Sequence, residues 1–154
     1  MDLSNPAQIK NLMRRCLRLQ LDPEPTRMER LRAFEHFEHR CAYCGDDVRG
    51  GGDLDHLVSA AIGGSNHISN RVPSCRNCNQ KEKLGNPWLE FLRRKCCGDE
   101  SLFLDRRRMI EQWRGQCGPV AVIPDEALRV LAEEARRVTS EFDLACSRIR
   151  GLRT

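Results

Sequence analysis

A chain of 154 residues with 5% aromatic and 31% charged residues has material for one modest core, which excludes a large sandwich or barrel. The net charge of +4 sits in the flanks: residues 1–40 carry 8 Lys/Arg against 6 Asp/Glu, residues 41–85 carry 5 against 5, and residues 86–154 carry 13 against 11. No apolar run approaches the roughly 20 residues that cross a bilayer, and the first fifteen residues hold no apolar signal segment. The nine cysteines are therefore expected as reduced thiols of a soluble, cytoplasmic protein without membrane contact.

The first predicted element is a helix over residues 5 to 19. Asn5 can cap it, Pro6 suits its first turn, Gln8 completes a capping-box pattern, and Ile9, Leu12, Met13, Cys16 and Leu17 form an apolar stripe. The "LDPEP" stretch ends it. Thr26 and Glu29 form a second capping box before a helix that runs toward Arg40, with Leu31, Phe34 and Phe37 on one face.

From Cys41 to about Gly85 glycines divide the chain into short segments. "GDLDHLV" has the length and flanks of a strand, and "CRNCNQKEK" reads as a short helix ending at Gly85. Three further helices are expected: "WLEFLRRKC", "SLFLDRRRMIEQWRGQ", and a long one from about Pro124 to Arg150. In the last, Leu128, Leu131, Ala135, Val138, Phe142, Ala145 and Ile149 recur at three- and four-residue steps. The expected organisation is a helical extension over 1–40, a central core over 41–85 and a helical region over 86–154.

Two Cys-x-x-Cys pairs, Cys41 with Cys44 and Cys75 with Cys78, stand thirty residues apart. Four thiolates in two such turns match tetrahedral zinc, and a metal whose four positions are all sulfur holds structure and does no chemistry. The other five cysteines lack ligand spacing and are expected as buried or incidental thiols.

Between the pairs lies "DLDHLVSAAIGGSNHISNRVP". The zinc would draw the ends of this segment together and so bring Asp55 and His56 near the helix that begins at Cys75, where Asn79 follows the last ligand. A carboxylate and an amide oxygen are hard ligands for Mg²⁺ or Mn²⁺, and an imidazole beside them can take a proton from water near neutral pH. Together they make a one-metal hydrolytic site. Arg71, Arg76, Lys81 and Lys83 lie close by in sequence as candidate phosphate contacts, a solvated face being the plainer account. His67, in the loop, is expected to face solvent or brace the loop, with phosphate contact as the alternative.

The stretch "LDHLVSAAIGGSNHISNRVPSCRNCNQKEK" resembles the core of the HNH endonucleases over about residues 41 to 85. His56 falls on the first motif histidine, Asn70 on the central asparagine, and Asn79 on the third position, which makes an H-N-N variant. The resemblance implies an α+β protein whose small ββα-metal core is stapled by a four-cysteine zinc and flanked by α-helices. It further implies His56 as the general base, Asp55 and Asn79 as holders of the catalytic Mg²⁺ or Mn²⁺, and Asn70 as a brace for the hairpin loop that also orients His56. The implied substrate is DNA, double-stranded by expectation. The alternatives are a zinc-ribbon binding module without catalysis and a nuclease subunit of a larger bacterial defence assembly. The C-terminal helices are the expected surface for a homodimer or a protein partner.

Overall fold

In the computed structural model, which describes residues 5–119 and 123–153, α1 (Pro6–Leu21) begins at Asn5, whose side chain accepts a hydrogen bond from Ala7 N at 3.0 Å. Pro6 takes the first helical position, where its missing N–H costs nothing. α2 (Arg27–His36) carries the full capping box: Glu29 N donates to Thr26 Oγ1, and Thr26 N donates to Glu29 Oε2 at 2.7 Å. It stops at His36 because Glu38 and His39 adopt left-handed backbone, with φ of 51° and 56°.

Two short antiparallel strands follow, β1 (Asp53–His56) and β2 (Arg71–Ser74), in the register Asp53–Ser74, Leu54–Pro73, Asp55–Val72 and His56–Arg71. The fourteen residues between His56 and Arg71 form a tight loop with two 3₁₀ turns, Ala60–Ile62 and Ile68–Asn70. Gly64 allows the tightness, since a Cβ there would lie 1.8 Å from the Val58 carbonyl oxygen. The chain then enters a π-helical segment, Cys78–Lys83, that ends in left-handed Leu84 and Gly85. Three more helices complete the order: α3 (Trp88–Lys95), α4 (Glu100–Gln116) and α5 (Asp125–Arg150). The fold is α+β.

The chain divides into two units, one of Met1–Pro23 with Val122–Thr154 and the other of Glu24–Ala121. This division differs from the one drawn on composition, because α2, α3 and α4 share the core of the hairpin. That core is continuous: Ala33 and Phe37 from the end of α2, Tyr43, Leu54 and Val72 from the centre, Phe91 and Leu92 from α3, and Phe103, Ile110 and Trp113 from α4 are all buried together. Leu31, placed on the buried face by periodicity, is exposed, and the helix instead turns Ala33 inward. Burial of this many large side chains stabilises the unit by about 1.5–3 kcal/mol for each aliphatic or aromatic residue before entropy is subtracted.

In the other unit α1 and α5 pair, and Lys10 Nζ meets Asp143 Oδ2 at 2.8 Å. Leu131, Ala135, Val138 and Phe142 of the long stripe are half-buried, whereas Leu128, Ala145 and Ile149 are exposed. The stripe is buried only along its middle.

Candidate active site

The four cysteines converge. Their Sγ atoms lie within 4.8 Å of one another, and Cys44 Sγ is 3.7 Å from Cys75 Sγ. Zinc–sulfur bonds of about 2.3 Å in a tetrahedron place sulfurs about 3.8 Å apart, so the cluster fits a zinc ion. Its protonation chemistry points the same way. The hydrogen bond from Cys78 pulls the Cys41 thiol down to about 4, burial pushes Cys44 up to about 12, and the bond to Cys41 raises Cys78. Sulfurs this close cannot all ionise without a cation among them.

The first knuckle is held from outside. Arg106 of α4 donates from Nη1 to the Tyr43 carbonyl at 2.6 Å and from Nη2 to the Cys44 carbonyl at 2.8 Å. Gly45, at φ 81°, leaves room for that guanidinium, since a Cβ would stand 2.6 Å from Arg106 Nη2.

Across the hairpin, His56 and Arg71 are partners in register and their side chains share one face. His56 Nε2 lies 2.8 Å from Asn66 Oδ1, an oxygen that can only accept, and in the tautomer that uses this contact the proton is on Nε2. Nδ1 is then the basic nitrogen. Arg71 Nη1 stands 2.9 Å from Nδ1 and 2.5 Å from Nε2. Burial, and then the Arg71 charge, hold the His56 imidazole below its ordinary range, so the neutral form is favoured. Arg71 is itself 6% exposed, with Nη2 3.1 Å from Glu24 Oε2.

On the opposite strand face, Asp55 is buried. Its Oδ2 accepts from Tyr43 Oη at 2.8 Å and pairs with Lys83 Nζ at 3.2 Å, and Lys83 also donates to the His56 carbonyl at 2.6 Å. Burial, and then the neighbouring Asp55 carboxylate, raise the Tyr43 phenol, which keeps it a donor. Lys83, expected as a candidate phosphate contact, is instead 2% exposed. The π-helical turn is the physical reason. Each residue there advances less than in an α-helix, and the turn carries Lys83 under the hairpin. Arg76 and Lys81 are exposed, as a phosphate-facing position requires.

Asn70 braces the loop. Its Oδ1 accepts from Val58 N at 2.9 Å, and its Nδ2 donates to the Val58 and Ser65 carbonyls at 3.0 and 2.7 Å. The direct contact to the imidazole comes from Asn66, which sequence reasoning passed over. The signal available was its place in "GGSN", where the turn swings the chain back toward β1. Asn79 is half-buried and lines a polar cleft with Asp53, Ser74, Arg76, Gln80 and Arg30. His67 caps the second 3₁₀ turn by accepting from Ser69 N through Nδ1.

A two-stranded hairpin leading into a helix, with four thiols gathered at its base, makes a ββα unit that a zinc ion could staple. Residues 41–95, about a third of the chain, match the family model described as HNH endonuclease, and this segment is similar to that family's domain. The match covers both knuckles, both strands, the π-helical segment and α3. No curated protein and no solved structure matches the chain. Among the described residues, no helix is long and apolar enough to cross a membrane.

Proposed function

We propose that the protein is a metal-dependent endonuclease that hydrolyses phosphodiester bonds in double-stranded DNA. The observation that carries this reading is the setting of His56: its Nε2 lies 2.8 Å from Asn66 Oδ1, a contact that in the Nε2–H tautomer leaves Nδ1 basic, and it stands inside the segment that matches the HNH endonuclease model. An imidazole fixed in one tautomer and biased toward neutrality is equipped to accept a proton.

In this reading a water molecule gives its proton to His56 Nδ1 and its oxygen bonds to phosphorus, while the P–O bond on the far side breaks and the leaving oxygen is protonated from solvent. Asp55 and Asn79 would hold Mg²⁺ or Mn²⁺ through oxygen donors that suit such an ion, and because Asp55 Oδ2 is taken by Tyr43 and Lys83, its carboxylate would have to offer the other oxygen or give up Lys83. When bound, the ion supplies charge stabilisation at the phosphate and at the leaving oxygen. Tyr43 and Lys83 fix the Asp55 carboxylate, and Lys83 also ties down the His56 backbone, so one buried side chain sets the spacing of ligand and base. Asn70 keeps the loop closed. Arg76 and Lys81 would receive phosphates along the duplex, and Arg71 the phosphate nearest His56.

A second copy or a protein partner would dock on the α1 and α5 unit, where Leu128, Val130, Leu144 and Ile149 are exposed. Incubation of supercoiled plasmid with zinc-loaded protein tests the activity. Nicked or linear product is expected with Mg²⁺ or Mn²⁺ and none without added divalent ion, and an intact plasmid under every metal would reject it.

A further inference from the structure

Glu24 stands between two prolines, in "DPEPT", and outside the segment that matches the family. Pro25 forces Glu24 toward extended backbone, and Pro23 restricts the residue before it, so the main chain is stiff and the reach to Arg71 is made by the side chain. The side chain is 39% exposed, yet its carboxylate reaches Arg71 Nη2 at 3.1 Å. Arg71 is almost wholly enclosed. Its Nη1 covers both ring nitrogens of His56, at 2.5 Å from Nε2 and 2.9 Å from Nδ1, and its Nε is buried with no hydrogen-bond partner among the described residues.

Three facts combine here. A buried guanidinium with an unsatisfied N–H is an anion-binding group short of one acceptor. A carboxylate and a phosphodiester offer that guanidinium similar paired oxygens. The nitrogens that Arg71 covers include the one a water must reach if His56 is to act as a base.

We propose that Glu24 is an internal stand-in for the DNA phosphate. It holds Arg71 over His56 Nδ1 in the free protein and yields it to a phosphodiester oxygen when DNA binds, and that exchange uncovers the base. The inference rests on the nuclease reading above. Release of Glu24 is cheap because its carboxylate moves into water, whereas Arg71 passes from one anion to another and never stands buried without one. Glu24 is thus a positioning residue that acts through Arg71.

The test is a binding measurement made without Mg²⁺ or Mn²⁺, so that cleavage does not enter. A fluorescent DNA duplex is titrated with wild type, Glu24→Gln, Arg71→Gln and the double variant, and with Glu111→Gln as a control for the added positive charge. Zinc content and thermal melting verify that each protein is folded. Glu24→Gln is expected to bind about fivefold more tightly than wild type, with Glu111→Gln changing affinity less than about twofold. In the Arg71→Gln background, Glu24→Gln is expected to change nothing. Equal affinity of wild type and Glu24→Gln overturns the proposal, and so does a gain that persists without Arg71, because the carboxylate would then merely repel DNA. The Glu24→Gln comparison stands even if Arg71→Gln does not fold. If no protein in the set binds DNA, the nuclease reading falls and the exchange falls with it, an outcome distinct from binding that ignores Glu24.

Discussion

Lys83 Nζ lies 3.2 Å from Asp55 Oδ2 beneath the β1–β2 hairpin, and the same ammonium donates to the His56 carbonyl at 2.6 Å. A buried cation with two defined acceptors couples the fold to the site. Removal of one partner from such a pair leaves the other charge uncompensated and costs about 3–5 kcal/mol. Lys83→Met is therefore expected to lower stability in urea by that amount, and Asp55→Asn combined with Lys83→Met to recover part of the loss. Equal stability of Lys83→Met and wild type would contradict the pairing.

Asn66 fixes the tautomer of His56 without touching the hairpin brace made by Asn70. Asn66→Ala is expected to reduce kcat about 10- to 100-fold, a share of the 10²–10⁴ that a positioned base contributes, with zinc content unchanged. Plasmid-cleavage kinetics and zinc analysis would check both halves. Undiminished kcat would show that the imidazole is oriented by something else.

Arg106 ties α4 to the first zinc knuckle through two charge-assisted bonds. Its loss leaves two carbonyls of the knuckle without that donor, and Arg106→Ala is expected to cost about 1.5–3 kcal/mol per bond at most and to speed zinc release to a chelator. Cys75→Ser is expected to go further and abolish zinc binding together with the cooperative melt of the unit. Circular dichroism with a zinc-release dye distinguishes the two grades of damage.

The working form of His56 is neutral, and burial together with Arg71 disfavours the imidazolium. A depressed value keeps the base available at lower pH, so the acid limb of kcat/KM is expected below the ordinary imidazole value of 6.5. In Arg71→Gln one of the two causes is gone, and the limb should move back up. A pH profile from about 5 to 8 reads this directly, and a wild-type limb at or above 6.5 would be inconsistent with the environment described.

Much of the site was legible in the residues because its chemistry is local in sequence. The four cysteines announce by spacing alone a cluster that could hold a metal, and Asp55, His56 and Asn70 lie between the two pairs with Asn79 just past the second. What stayed hidden depends on geometry that spacing does not encode. Lys83 looked like a surface lysine because an α-helical step was assumed where the backbone takes a π turn. Arg71 looked like a phosphate contact in general, while its place beside His56 follows from the hairpin register. Glu24 and Arg106 reach the core from residues distant in sequence, and nothing in their own neighbourhoods announces it. The boundaries of the helical flanks missed for a related reason: composition changes at Cys41 and Gly85, but the hydrophobic core runs through both points.

The most direct measurement compares wild type with His56→Ala on supercoiled plasmid, in Mg²⁺ and in Mn²⁺, at matched zinc content and matched melting temperature. Wild type is expected to nick or linearise the plasmid and His56→Ala to lose at least about 10²-fold in rate, the minimum for a positioned base. Equal cleavage by the two proteins, or an intact plasmid with folded, zinc-loaded wild type in both metals, would contradict a His56-dependent nuclease.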